Sequence, residues 1–457
     1  MNRALKPTTD GIWIVTFTWT LLLSFVAIAQ AQSEKDNWAQ WRGPLQTGEA
    51  PHADPPTQWS EQENVKWKTP IPGRGLSTPI VWNDLVFLTT AVPFGEKLDP
   101  KFSGREGAHD NLPVSQHHRF LVMAVNRKDG SVAWQTKVHE ELPLEGAHNT
   151  ASLVSGSPVT DGQHVYAHLG SYGLYCLDFA GKIVWQKQLG KMHTKHGHGE
   201  GASPTLYGDT LIVNWDHEGA SFIAAFDTKT GDEKWRKSRD EVTSWSSPIT
   251  VEHDGAVQVI VAGTSRVRAY DLADGSVIWE CGGLSNNVVA TPVSAAGHVV
   301  AGSSYETRAM FSVQLDGATG DVTGTDQVRW FTRERTPYVP SPLLYKNAVY
   351  FLRHYQNIVS RRDLVTGQEQ AGPWRLPGLG NIYASPVAAQ DRIYFTDMEG
   401  VTVVFSHVTD PTTEPPRFVS ANKLDDAVSA SLALVGKQIF VRGETFLYCI
   451  EEETPLP

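Results

Sequence analysis

Cysteine is scarce in this chain. Of 457 residues only Cys176, Cys281 and Cys449 are thiols, with no adjacent pair, no CxxC and no CxxCH. The missing CxxCH excludes covalent haem attachment, and the spread of the three excludes a vicinal or CxxC redox pair. Charge is also sparse: 19% of residues are charged and 40% hydrophobic, which excludes a disordered or fibrous chain. The net charge of −11 would repel a phosphate backbone, so nucleic acid is not an expected partner. A glycine-rich phosphate loop, a nucleophile elbow and an HExxH helix are absent, as is any bilayer-length apolar run after the first 31 residues.

What the chain does have is 39 Gly, 27 Pro and 15 Trp, a composition of short strands and tight turns. Arg3 and Lys6 precede an apolar stretch from Gly11, and Ala29-Gln30-Ala31 supplies the small-x-small pattern that signal peptidase reads. Residues 1–31 are therefore expected to be a signal peptide cleaved after Ala31, although the run is long enough to anchor the chain if left uncut. The expectation is an exported protein, periplasmic or extracellular, with no membrane span after cleavage. A lipid anchor would need a Cys just after the apolar run, and the first Cys is Cys176.

Self-similarity sets the architecture. A hydroxyl residue followed by Pro opens a strand-like run at Thr78-Pro79, Ser157-Pro158, Ser203-Pro204, Ser247-Pro248, Thr291-Pro292, Ser341-Pro342 and Ser385-Pro386, and Ala430-Ser431-Leu432 is a degenerate eighth. From Pro158 onward the prolines lie 44 to 50 residues apart, the period of a four-stranded propeller blade rather than a helical repeat. Within each unit a third strand ends in Asp, a Thr-Gly or Asp-Gly turn follows, and then Trp, as in Asp227-Thr228-Lys229-Thr230-Gly231 before Trp235. One Trp per unit fits packing between sheets rather than chemistry. Cys176 and Cys449 occupy the position held elsewhere by Ala124, Ala225 and Ala269, a small buried slot.

The last unit, Ala430 to Glu453, lacks its Trp strand, and Asn64-Val65-Lys66-Trp67-Lys68 supplies one. The pattern thus predicts an all-β, eight-bladed β-propeller over residues 64–457, closed by an N-terminal strand completing the C-terminal blade. Residues 32–63, with Trp41-Arg42-Gly43-Pro44, read as an ordered extension strapped across the outside. Residues 93–119 read as a polar, solvated insertion in the first blade.

The strings Leu174-Tyr175-Cys176-Leu177-Asp178 and Asp227 to Trp235 resemble the PQQ-type propeller repeat, small-x-Asp-x-x-Thr-Gly-Lys-x-x-Trp. That family includes pyrroloquinoline-quinone dehydrogenases and non-enzymatic, BamB-like eight-bladed proteins. For the dehydrogenases the resemblance implies a quinone held between a Trp and often a disulfide of adjacent cysteines, a calcium ion held by Glu and Asn, and an Asp base. This chain has no adjacent cysteines, and Trp245 is its one candidate platform.

Residues just before each Ser-Pro must loop from the outermost strand back to the innermost, so they crowd the axis on one face. These are Arg74, His148, Asn149, Glu200, Trp245, Asn286, Asn287, Tyr338, Tyr383 and Asp425, the last beside Asp426. They form the candidate site for a small molecule or a peptide at the propeller mouth. The cluster His193, His196, His198 and Glu200, with Asp216 to Glu218 nearby, sits in a glycine-rich loop without helix or strand register, and is expected to hydrogen-bond rather than hold a metal. The expected function is a non-catalytic binding or scaffold protein of the cell envelope, and the alternative is a PQQ- and calcium-dependent oxidoreductase.

Overall fold

The computed structural model describes residues 34–408, 410 and 413–453; the expected leader 1–31 lies outside them. Eight blades of four antiparallel strands follow one another along the chain, the fourth joined by a short fifth strand. Blade 1 runs through Ile80–Trp82, Leu85–Phe94, His117–Asn126 and Val132–Glu141, and the next six blades repeat that order. Blade 8 has Ala433–Val435, Gln438–Arg442 and Phe446–Ile450, and takes its outer strand, Val65–Pro70, from the other end of the chain. Trp67 stands opposite Cys449 and Pro70 opposite Phe446 in that pairing, so no blade is left with three strands.

The hydroxyl residues that open the blades bind one another around the axis. The N–H of Thr78 donates to Ser157 Oγ at 2.9 Å, and the same bond recurs from Ser157 to Ser203, Ser203 to Ser247, Ser247 to Thr291, Thr291 to Ser341, Ser341 to Ser385 and Ser385 to Ser431. Proline follows because its missing N–H is not needed there. Thr78 Oγ1, which an eighth bond would reach, is buried without a partner, so the girdle opens at the joint between blades 8 and 1.

A second lock lies further out. Trp134 Nε1 donates to Phe179 O at 2.8 Å, and Trp67, Trp185, Trp235 and Trp330 donate to the equivalent carbonyls of Arg127, Thr228, Leu272 and Leu364. In each case the acceptor follows the Asp or Asn that ends the third strand of the next blade. The turn glycine of that blade lies flat on the same ring: a Cβ on Gly275, at φ +72°, would stand 2.5 Å from Trp235 Cε3. Across the strand each of these Trp residues faces a small residue, Ala124, Cys176, Ala225, Ser312 or Cys449, which makes room for the indole. Burial pushes the Cys176, Cys281 and Cys449 thiols up to about 12, so all three stay protonated and unreactive at neutral pH.

Three blades depart from the rule: Trp374 of blade 6 has its Nε1 buried without a partner, the outer strand of blade 7, Arg417–Lys423, carries no Trp, and blade 4 makes a different bond. Trp279 donates to Gln258 Oε1 inside its own sheet at 2.9 Å, and the next blade reaches it through Gly320–Asp321, a two-residue parallel pairing with Trp279 and Glu280.

Residues 38–50 correct the expectation of an outer strap. Trp38 bridges Val81, Thr160 N–H donates to Ala39 O, Gln46 holds Thr250, Leu344 N–H donates to Thr47 O, and Ala50 N–H donates to Ala388 O. These partners lie on the inner strands of blades 1, 2, 4, 6 and 7, so the segment crosses the hub and closes one end of the channel. Arg42 is buried there, donating to the carbonyls of Pro386 at 2.9 Å, Pro342 at 2.8 Å and Thr47 at 3.2 Å. A peptide with so many orphan backbone partners on offer satisfies more hydrogen bonds inside the ring than outside it. From Trp59 on the extension does run along the exterior, against Asn422 of blade 7.

Candidate functional site

The other end of the channel opens into a cavity of about 510 Å³. Its floor includes the blade-opening hydroxyls and Trp41, whose Nε1 donates to Thr291 Oγ1 at 3.0 Å. Five of the ten expected residues line it: His148, Glu200, Trp245, Tyr338 and Tyr383. The other five stand back from the wall. Arg74 reaches the Asn149 carbonyl and Glu444, Asn286 accepts from Lys195 and Ser265, Asn287 is buried in its own turn, and the Asp425 N–H binds Glu61.

The wall is completed by residues the mouth map missed: His109, Asp110, His198, Tyr305, His354 and Tyr355. His109, Tyr305, His354 and Tyr355 belong to the hairpins between second and third strands. In a four-stranded antiparallel blade those hairpins return on the same face as the connections between blades. Strand parity alone would have found Tyr305, His354 and Tyr355.

One side of the wall is aromatic. Tyr305 stacks on Tyr338 with ring centroids 5.4 Å apart, Tyr338 on His354 at 4.5 Å, His354 leans on Tyr355 at 4.5 Å, and Tyr355 stacks on Tyr383 at 5.7 Å. Trp245 belongs to the remaining arc, its indole N–H fixed on Gly199 O at 2.7 Å. The turn carrying it is anchored from below by Asp216, which accepts from Ser244 Oγ at 2.6 Å and from both arms of the buried Arg239 at 2.7 and 2.9 Å.

Glu200 accepts from Ser171 N–H at 2.7 Å and from Ser171 Oγ at 2.5 Å. Burial outweighs those two bonds and pushes its carboxyl up to about 7. The cluster from His193 to Glu200 does not converge on one point. His193 turns to Glu145 at 2.8 Å, His196 donates to Glu106 O at 2.6 Å, Glu200 faces Ser171, and Glu218 accepts from Thr243.

A quinone tricarboxylate does not fit this lining. Among the described residues no Lys or Arg lines the cavity, while Asp110 and Glu200 do, and the three thiols lie apart in the core. A calcium ion, which takes six to eight oxygens, would find Glu200 already tied to Ser171.

Fold and funnel together define an eight-bladed, PQQ-like β-propeller with a plugged hub and an open aromatic mouth. A family model described as outer membrane protein assembly factor BamB matches residues 118–370, and the chain belongs to that family. The outer membrane protein assembly factor BamB of Yersinia pestis is 25% identical over 167 residues, 35% of this chain and 38% of that protein. BamB from Moraxella catarrhalis superposes with a TM-score of 0.53 at 14% identity, covering 79% of this chain and 98% of that one. The quinohemoprotein alcohol dehydrogenase from Comamonas testosteroni gives a TM-score of 0.60 at 11% identity, covering 93% and 82%. At such identities the likeness is one of fold. Among the described residues no helix is long and apolar enough to cross a membrane.

Proposed function

We infer that this is an exported, non-catalytic propeller of the cell envelope that holds a peptide or small molecule in its funnel. The observation that carries the reading is the lining: an aromatic ladder of Tyr305, Tyr338, His354, Tyr355 and Tyr383, with acidic Asp110 and Glu200 elsewhere on the wall and no facing cation among the described residues. Such a wall favours a neutral or cationic ligand with a flat apolar face, since stacked rings offer both contact area and a negative π face. Membership in a family named for outer membrane protein assembly supports an envelope scaffold whose ligand is a protein segment.

The test is direct binding. Titration with basic, aromatic-containing peptides should quench Trp245 fluorescence, and Tyr338→Ala and Trp245→Ala should each weaken binding while leaving the melting temperature nearly unchanged. Equilibration with PQQ and Ca²⁺ should give no reduction of an artificial dye in the presence of alcohols or sugars. Turnover in that assay would overturn the reading in favour of an oxidoreductase.

A further inference from the structure

Three histidines from three separate segments meet at the mouth of the funnel. His109 sits at the tip of the blade 1 insertion, His148 in the connection from blade 1 to blade 2, and His198 in the connection from blade 2 to blade 3. One ring nitrogen of each lies within 4.8 Å of the others. The ring centroids are 4.8 Å apart for His109 and His198, 4.9 Å for His148 and His198, and 5.5 Å for His109 and His148.

These are not free loops. His148 N–H donates to His198 O at 3.1 Å, Asn149 N–H to Asp110 O at 2.9 Å, and Leu112 N–H to Ala147 O at 2.8 Å, while the Asn111 amide holds His196 O at 2.8 Å. The backbone bonds supply the register that the glycine-rich sequence lacks. His148 Nδ1 lies 2.8 Å from Thr150 Oγ1 and accepts from Thr150 N–H at 3.3 Å, contacts that hold the ring in place beside the other two. His198 Nε2 is buried with no hydrogen-bond partner, an orphan that a metal ion would satisfy. The Lys195 ammonium, on the same connection as His198, is drawn off to Asn286 O at 3.1 Å and towards Glu306.

We propose that His109, His148 and His198 form a binding site for a borderline divalent transition-metal ion, Zn²⁺ or Cu²⁺, with its remaining coordination position open to the funnel. Imidazole nitrogens suit these ions, and three protein ligands with one open position is the arrangement of reactive rather than purely structural zinc. Zn–N bonds of about 2.0–2.1 Å bring tetrahedral ligand nitrogens to roughly 3.3 Å from one another, so binding draws the rings together. His109 is the exposed member and the one free to swing inward. The bound ion then presents a Lewis-acidic point at one side of the cavity, facing any nitrogen or oxygen donor the funnel takes in.

The experiment uses the tag-free chain and the metal alone, so it reads this site whether or not an organic ligand binds. Calorimetry with Zn²⁺ and Cu²⁺ should give one ion per chain, and Co²⁺ should give the intense visible bands of a tetrahedral nitrogen site. His109→Ala, on an exposed loop tip, should fold normally and weaken binding by at least the roughly 100-fold that even an outer partner can contribute. Thr150→Val should weaken it by roughly 10- to 100-fold while leaving all three ligands in place. His52→Ala, at an exposed histidine paired with Asp36, should change nothing. Absence of a saturable one-to-one site, or binding undiminished by His109→Ala and His198→Ala, overturns the proposal.

Discussion

The contact between each turn glycine and the preceding blade's indole can be weighed against an internal control. Gly275 and Gly320 both occupy the left-handed region, at φ +72° and +64°. A Cβ at Gly275 would lie 2.5, 2.7 and 2.9 Å from Trp235 Cε3, Cδ2 and Cζ3, whereas a Cβ at Gly320 would meet nothing within 4 Å. Both alanine variants carry the left-handed strain of about 1–2 kcal/mol. Only Gly275→Ala adds the overpacking penalty of about 1–3 kcal/mol. Gly275→Ala should therefore destabilise by about 2–5 kcal/mol and Gly320→Ala by about 1–2 kcal/mol. Trp235→Ala alone should cost about 3–5 kcal/mol, and in that background Gly275→Ala should fall back to the strain alone. Urea melts followed by far-ultraviolet circular dichroism on the parent, the three single variants and the double variant give the coupling. Equal penalties for the two glycines, or a Gly275→Ala penalty that survives loss of the indole, would refute the lock.

Arg42→Met should destabilise by about 3 kcal/mol or more by leaving buried carbonyls unpaired, and limited proteolysis should then release residues 34–63 before the ring opens. His168 is buried beside Trp215, and burial lowers its imidazole to about 4 from 6.5. The unfolded chain takes up that proton first, so stability should fall as pH drops from about 6.5 towards 4, by up to roughly 3 kcal/mol from this group. His217, His298, His354 and His407, all lowered by burial, add in the same direction. His168→Asn should flatten the slope of melting temperature against pH in that interval, and an unchanged slope would assign the effect elsewhere.

The blade count and the closing strand were legible because a repeated hydroxyl-Pro opening and a missing terminal Trp are local patterns with a fixed period. The tryptophan packing was legible for the same reason, but departures from it such as that at Trp279 were not, since its partner Gln258 carries no repeat signal. Residues 38–50 could not be placed from sequence: a plug binds carbonyls and hydroxyls that every blade offers, and backbone partners leave no complementary pattern in the side chains. Half the funnel was found through the connections between blades. Most of the remainder lies on hairpins within blades, where Tyr305 and His354 look like ordinary turn residues until strand direction is followed. His109 needed the fold itself, because 39 residues separate it from His148 and only the insertion's path brings them together.

The hub segment and the closing strand are neighbours in sequence, residues 38–50 and 65–70, yet the strand's partner is Phe446–Ile450 at the far end of the chain. During synthesis the strand Val65–Pro70 therefore waits, unpaired, until nearly the whole polypeptide has emerged. Assembly finishes where translation began, and a chain truncated at its C-terminus loses the docking place of its own beginning as well as its last blade.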